Sequence, residues 1–295
     1  MVRILACLAA LLACANAVEP IPVACGSSVV HDLVRRIGGE RVAAQILAPY
    51  GCDPHTFQPT PAEARTLAAA RLVVVNGLGF EGWFEGLLVE SRSRATVVEA
   101  ARGVAVLTMD PCGHGHDHGA GVPDPHAFNA PAQVVRYAEN IRDGLAALDP
   151  EGRADYEARA AAVVASLREL DAWTKRQVAA IPRQRRILVT NHEALNYFCR
   201  DYGFTVKAPL TALDNAETSP QELAAIVAFI KDSGVKAVFL EYGKNRKLLD
   251  QIANASGAVV GGQLYVDGIP DPATGILGYE AAIRHNVTTI MDALR

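Results

Sequence analysis

The chain has 295 residues, of which half are apolar and one-fifth charged, and its formal net charge is -4. This composition predicts a packed globular protein of about two domains and excludes a disordered chain. It leaves no basic footprint for nucleic acid, and past the N-terminus no run reaches the roughly 20 apolar residues that a membrane span requires.

The first segment stands apart. Arg3 precedes a continuously apolar stretch over 4–13, and Ala15-Asn16-Ala17 supplies a small–x–small cleavage pattern. Residues 1–17 are therefore expected to be a cleaved signal peptide, and the mature protein to be periplasmic. Leu11-Leu12-Ala13-Cys14 also has the form of a lipobox, which would leave Cys14 lipidated. Leu12 is unusual at its place, so soluble export is the expectation.

Strand and helix then alternate. Strands are expected at 22–24, 42–47, 72–75 and 96–98, with helices at 29–37, 61–70 and 80–91. Pro61 suits a first helical turn and Glu63 the early, dipole-favoured positions. Alternation of this kind predicts a mostly parallel sheet with helices on both faces. Asp149-Pro150-Glu151 is a helix start, and Tyr156, Ala160, Val163, Leu167, Leu170 and Val178 form one apolar stripe, with a wider step around Trp173. That helix, running to about 181, would be roughly 45 Å long, enough to brace two lobes. Beyond Pro182 the alternation resumes, with strands at 186–189, 204–206, 237–240 and 258–260. Helices are expected at 193–202, 221–233, 245–256 and 279–294. The sequence has no internal repeat of 20–50 residues.

Cys7 and Cys14 fall in the signal, leaving Cys25, Cys52, Cys112 and Cys199. No pair has the C-x-x-C spacing of a zinc ribbon or redox motif, and an oxidising compartment favours disulfides. Cys25 and Cys52, each following a predicted strand in the same half, are the expected pair.

The eight histidines divide by setting. His55 lies in Asp53-Pro54-His55, His126 in a second such triplet, Asp124-Pro125-His126, and His192 directly follows a predicted strand. Asp267 sits in the loop after the last strand. Three of these four positions lie beyond the carboxyl ends of strands, where open α/β sheets place their crevice. The adjacent prolines stiffen two of the loops. Three imidazoles and one carboxylate suit Zn²⁺, whereas Mn²⁺ and Mg²⁺ sites normally take more oxygen. Four protein ligands also close a tetrahedral shell, which favours binding over hydrolysis. His31 and His285 fall inside predicted helices and are assigned no role. His114, His116 and His118, spaced by glycines and Asp117, form a tract able to hold metal without fixed geometry. Residues 113–119 are therefore expected to be an accessory metal loop.

These motifs, in this order, resemble the zinc and manganese solute-binding proteins of ABC importers, the ZnuA/TroA-like family. The resemblance rests on Asp53-Pro54-His55 with Pro59-Thr60-Pro61, on Asn76-Gly77-Leu78-Gly79-Phe80-Glu81-Gly82-Trp83, and on Asp124-Pro125-His126. Asn191-His192-Glu193-Ala194-Leu195-Asn196-Tyr197-Phe198 and Leu264-Tyr265-Val266-Asp267 complete it. It implies an α/β fold of two lobes, each with a mostly parallel sheet flanked by helices, joined by one long helix, with the metal in the cleft between them. The divisions would be a lobe over 18–148, the linking helix over 149–181 and a lobe over 182–295. It implies His55, His126, His192 and Asp267 as ligands, with Glu241 a substitute or supporting partner for Asp267. Zinc members carry His at the third position where manganese members tend to carry Glu, so His192 points to zinc. The short histidine loop is closest to the AztC-type zinc proteins. The implied role is a monomeric, non-enzymatic receptor carrying Zn²⁺ as cargo to an ABC importer permease, with the loop a candidate contact for a periplasmic zinc chaperone. A manganese or iron receptor on the same fold, and an exported zinc hydrolase using Glu193 or Glu241 as base, are the alternatives. One departure is Phe128-Asn129-Ala130-Pro131, where the family usually has Trp-Leu-Asp-Pro.

Overall fold

The structure, a computed structural model, describes residues 19–109, 121–208, 220–244 and 246–295. The expected signal peptide with Cys14, Cys112, and His114, His116 and His118 lie outside the described residues.

The first sheet is built from β1 (Ile21–Cys25), β2 (Val42–Ile46), β3 (Leu72–Val75) and β4 (Thr96–Glu99), all parallel, in the order β2-β1-β3-β4. Between them run α1 (Ser28–Gly38), α2 (Pro61–Ala69) and α3 (Phe84–Ser91). Successive strand residues face opposite sides, and the core divides accordingly. Val23, Cys25, Leu72 and Val74 join α1 in the large central core, whereas Ala24, Val73 and Val75 pack with Leu67, Phe84 and Leu87 of α2 and α3. The sequence at β3 is an unbroken apolar run because both of its faces are covered. Thr60 and Glu63 form a reciprocal cap at the start of α2: Thr60 Oγ1 accepts from Ala62 N at 3.2 Å, and Glu63 Oε2 from Thr60 N at 2.7 Å.

A short antiparallel pair follows, β5 (Thr108–Met109) with β6 (Val122–Pro123). Next come α4 (Pro131–Leu148) and α5 (Arg153–Ala179). The sequence reading anticipates no helix over 131–148. Its signals are nonetheless present, with Pro131 at the first position and Val134, Tyr137, Ala138, Ile141 and Leu145 all buried at steps of three and four. The start expected at Asp149-Pro150 is a single 3₁₀ turn, capped where Asp149 accepts from the Gly152 amide, and α5 begins after it. At 27 residues α5 is about 40 Å long. Its predicted stripe is buried throughout, and Thr174 fills the wider step near Trp173.

The second half repeats the plan. β7 (Ile187–Val189), α6 (Asn196–Tyr202), β8 (Thr205–Lys207), α7 (Pro220–Ser233), β9 (Ala237–Glu241), α8 (Arg246–Ser256) and β10 (Val259–Leu264) lead to α9 (Tyr279–Leu294). β7 pairs in parallel with β8 and β9 with β10, as two two-stranded ladders, and β7 packs beside β9. Leu188, Ala237 and Phe239 enter the same central core as the first sheet, and Val189 and Val238 pack the other way with α7 and α8. One core therefore runs across both lobes, with α5 embedded in it against α1, α4 and α9. No helix among the described residues is long and apolar enough to cross a membrane.

The expected Cys25–Cys52 disulfide is not formed; Cys25, Cys52 and Cys199 are free. The alternation of β1 explains this. Cys25 points to the α1 side and is fully buried in the apolar core, where burial pushes its thiol pKa far up. Cys52 lines a small crevice near the lobe junction with Asp53, Tyr242 and Asp267.

Candidate metal centre

In the first sheet the strand order reverses direction beside β1, and the crevice of such a sheet opens at the carboxyl ends there. Loops from such ends carry the candidate residues. The two Asp-Pro-His triplets fold alike. Asp53 Oδ1 accepts the His55 amide at 2.9 Å, and Asp124 Oδ1 accepts the His126 amide at 2.9 Å. A short carboxylate bonding its own backbone two residues on is a turn in its own right, and proline fixes φ between them.

The segment that begins at Asn76 supports both triplets. Trp83 Nε1 donates to Pro54 O at 3.0 Å, Asn76 Nδ2 donates to Pro125 O at 2.9 Å, and Phe80 lies edge-on to the His55 ring at 4.9 Å between centroids. The buried Tyr137 hydroxyl of α4 donates to Asn76 Oδ1 at 2.8 Å.

The second-lobe residues are held from farther away. His192 follows β7; its amide donates to Glu241 Oε1 at 3.0 Å, and its Nδ1 lies in close contact with Glu241 Oε2. Glu241 ends β9, is fully buried, and receives its own orientation where its amide donates to Asn191 Oδ1 at 2.9 Å. Asp267 follows β10 on a backbone that only glycine allows next: Gly268 has φ +150, and a Cβ there would meet Ser28 Oγ at 2.5 Å. Asn129 joins the two loops, donating from Nδ2 to Ala194 O at 2.9 Å and to Val266 O at 2.8 Å.

The structure brings His55, His126, His192 and Asp267 together, with one donor atom from each lying within 4.8 Å of all the others. His55 Nε2 is 3.1 Å from His126 Nε2, and Asp267 Oδ1 is 3.2 Å from His192 Nε2 and 3.7 Å from each of the other two. Four donors at about 2.0–2.1 Å from a tetrahedral zinc lie about 3.3 Å from one another. Two atoms of this cluster, His192 Nε2 and Asp267 Oδ1, are buried without a hydrogen-bond partner. Buried polar atoms are normally satisfied, so a donor set of this kind fits a cation at its centre.

The outer contacts set the tautomers. Asp124 Oδ1 takes the Nδ1–H of His126 at 2.8 Å, and Glu241 takes that of His192, so that each Nε2 faces the cluster, that of His192 carrying a proton which a bound cation would displace. Burial lowers the His126 pKa despite Asp124, keeping that ring neutral. For His192 burial acts downward too, but the Glu241 and Asp267 carboxylates raise its pKa well above the ordinary value. Asp267 is the converse: burial opposes its charge, yet His192, His55 and Lys244 hold its pKa well below the usual range. Glu241 sits behind His192 rather than among the converging atoms. His31 bonds Tyr50 through Nδ1 at 2.8 Å, and His285 lies 3.0 Å from Gln263 O through Nε2.

Comparison with known proteins points the same way. Residues 23–293 match the family described as "ZnuA: Zinc-uptake complex component A periplasmic". The manganese-binding lipoprotein MntA of Halalkalibacterium halodurans is 31% identical over 94% of this chain and 89% of its own. The iron-binding protein YfeA of Yersinia pestis is 30% identical over 89% and 83%. Among solved structures, the periplasmic zinc-binding protein TroA of Treponema pallidum superposes with a TM-score of 0.84 at 26% identity, covering 94% of this chain and 99% of that one. A manganese-bound periplasmic metal-binding protein from Candidatus Liberibacter asiaticus does so with a TM-score of 0.83 at 25% identity over 94% and 100%.

Proposed function

The chain belongs to the ZnuA family of periplasmic zinc-uptake components, and from that membership we propose that it is an exported receptor that captures Zn²⁺ and hands it to an ABC importer. It is a metal-binding substrate-binding protein of an ABC transporter, and zinc is its proposed cargo. The observation that carries it is the meeting of three imidazole nitrogens and one carboxylate oxygen in a buried cluster. Imidazole is a borderline ligand that suits zinc, and only one of the four donors is the hard oxygen that Mn²⁺ favours. His55 and His126 supply two donors from a lobe over 18–148, and His192 and Asp267 the other two from a lobe over 182–295, with 149–181 as the link. Glu241, already engaged by His192, is not free to act as a general base, which favours binding over hydrolysis.

A signal peptide over 1–17 with soluble periplasmic release completes the reading, Cys14 lipidation being the variant that the lipoprotein relative favours. His114, His116 and His118 serve as an accessory loop that collects metal, alone or from a chaperone, and the receptor acts as a monomer. The relatives named for manganese and iron favour a second reading, a Mn²⁺ or Fe²⁺ receptor on the same fold.

Competition between Zn²⁺ and Mn²⁺ for the chelator-stripped protein, with and without residues 113–119, separates these readings. One tight site that prefers zinc and persists without the loop is expected. Preference for manganese would establish the second reading, and loss of tight binding on deletion would move the site to His114, His116 and His118.

A further inference from the structure

The two oxygens of Asp267 have different surroundings. Oδ1 faces the three imidazoles at 3.2–3.7 Å and has no hydrogen-bond partner. Oδ2 lies 3.4 Å from the Lys244 ammonium. Lys244 is itself anchored, with Nζ donating to Asp53 Oδ2 at 2.7 Å, while the other oxygen of Asp53 accepts the His55 amide. Its backbone is fixed in the turn after β9, where the Lys244 amide donates to Glu241 O at 3.2 Å across Gly243, at φ +78. The turn that ends in Lys244 thus begins with the carboxylate that orients His192. The lysine spans the lobes from Asp53, beside one imidazole, to Asp267, and three-quarters of its side chain is covered.

A carboxylate can give a cation one oxygen or two. Zinc sites of three nitrogens close at four ligands, whereas Mn²⁺ takes more oxygen and gains from a bidentate carboxylate. An ammonium 3.4 Å from Oδ2 opposes that second contact by charge repulsion toward the incoming cation and by standing on the side where it would form.

We propose that Lys244 is a specificity-determining residue: by holding Asp267 Oδ2 it restricts that carboxylate to one donor oxygen, keeps the metal shell at four ligands and disfavours Mn²⁺. The inference rests on the four-ligand reading above and adds to it a residue that touches no metal. Asp53 is the positioning partner, because without its 2.7 Å contact the lysine is free to swing toward solvent.

The test compares full-length mature protein with Lys244→Met, Lys244→Arg and Asp53→Asn, each stripped and titrated with Zn²⁺ and Mn²⁺ in competition. Asp53→Asn keeps an oxygen for the His55 amide, so it loosens the lysine without undoing the turn. Lys244→Met is expected to shift the Zn²⁺-to-Mn²⁺ affinity ratio about tenfold toward Mn²⁺, Asp53→Asn about threefold, and Lys244→Arg little. Cobalt substitution gives a second readout: the intense visible bands of four-coordinate Co²⁺ in the parent weaken in Lys244→Met as a fifth ligand joins. A parallel gain for both metals with unchanged cobalt bands would mean that the lysine acts only as a distant charge, and the proposal fails. An unaltered ratio would sink it equally. Failure of the four-ligand reading looks different, since the parent itself would then lack intense cobalt bands.

Discussion

The two halves of the metal cluster are held by different means. His55 and His126 ride on local turns, each closed by an aspartate two residues earlier and stiffened by the proline between. His192 and Asp267 depend on partners far along the chain: Glu241 is 49 residues from His192, and Asn129 reaches Val266 from 137 residues away. The first half is shaped by sequence-local turns, which Asn76 and Trp83 then brace. The second is assembled only when β7, β9 and β10 line up. The candidate site thus pairs one half closed by local turns and braced from the Asn76 segment with one oriented wholly by distant partners.

The largest effect should come from breaking the assembled half directly. His192→Ala removes a donor and leaves Glu241 buried without its partner, so zinc affinity should fall by roughly 3 kcal/mol, over a hundredfold, while far-UV circular dichroism stays unchanged. An unaltered dissociation constant would take His192 out of the site.

Supporting carboxylates sharpen the contrast. Removing such a partner typically costs about 10–100-fold in metal affinity. Glu241→Gln is expected near the upper end, because the His192 ring and amide both rely on that one side chain. Asp124→Asn should cost less, since its Oδ1 can still accept the His126 amide. Isothermal titration of the two variants side by side would show whether the order holds; a reversal would mean that the local half, not the assembled one, limits affinity.

Protonation distinguishes the halves as well. Burial keeps His126 neutral, whereas the carboxylates around His192 raise its pKa well above normal despite burial. Capture must then expel a proton from His192, so affinity weakens as pH falls, by about tenfold per unit for one proton. Calorimetry in buffers of different ionisation heat counts the protons released. Release of none at neutral pH would contradict the ion pair drawn between His192 and its carboxylates.

The smallest change expected is in stability. Asn129→Ala leaves two buried carbonyls, Ala194 O and Val266 O, without the amide that joins their loops, at a cost of about 1–3 kcal/mol. Denaturant unfolding of the metal-free protein would measure it, and an unchanged midpoint would mean that the loops hold together without Asn129.

What could be read from the sequence follows the same divide. The strands at β1 and β3 and the stripe of α5 are legible because their periodicity is local. The repeated Asp-Pro-His marks its histidines for the same reason. α4 goes unassigned although its spacing is regular, because Pro131 fits a loop as readily as a first helical turn and no side-chain cap marks the start. Nothing local announces Lys244: a lysine after a glycine is common, and its meaning comes from Asp53 and Asp267 meeting across the lobes. The Cys25–Cys52 pairing misleads for a related reason, since following a strand in sequence says nothing about which face of the sheet a side chain takes. Asn129 is visible only as a departure from the family pattern, and the fold gives it its role as the tie between two loops.

His55, His126, His192 and Asp267, two from each lobe, are proposed to close on one zinc ion. Zinc-edge X-ray absorption on the stoichiometrically loaded protein tests it most directly. Four light-atom ligands are expected at about 2.0–2.1 Å, with the scattering signature of three imidazoles and one carboxylate oxygen, unchanged when residues 113–119 are deleted. A shell of five or six oxygen-rich ligands, or one that changes with the loop, would contradict it.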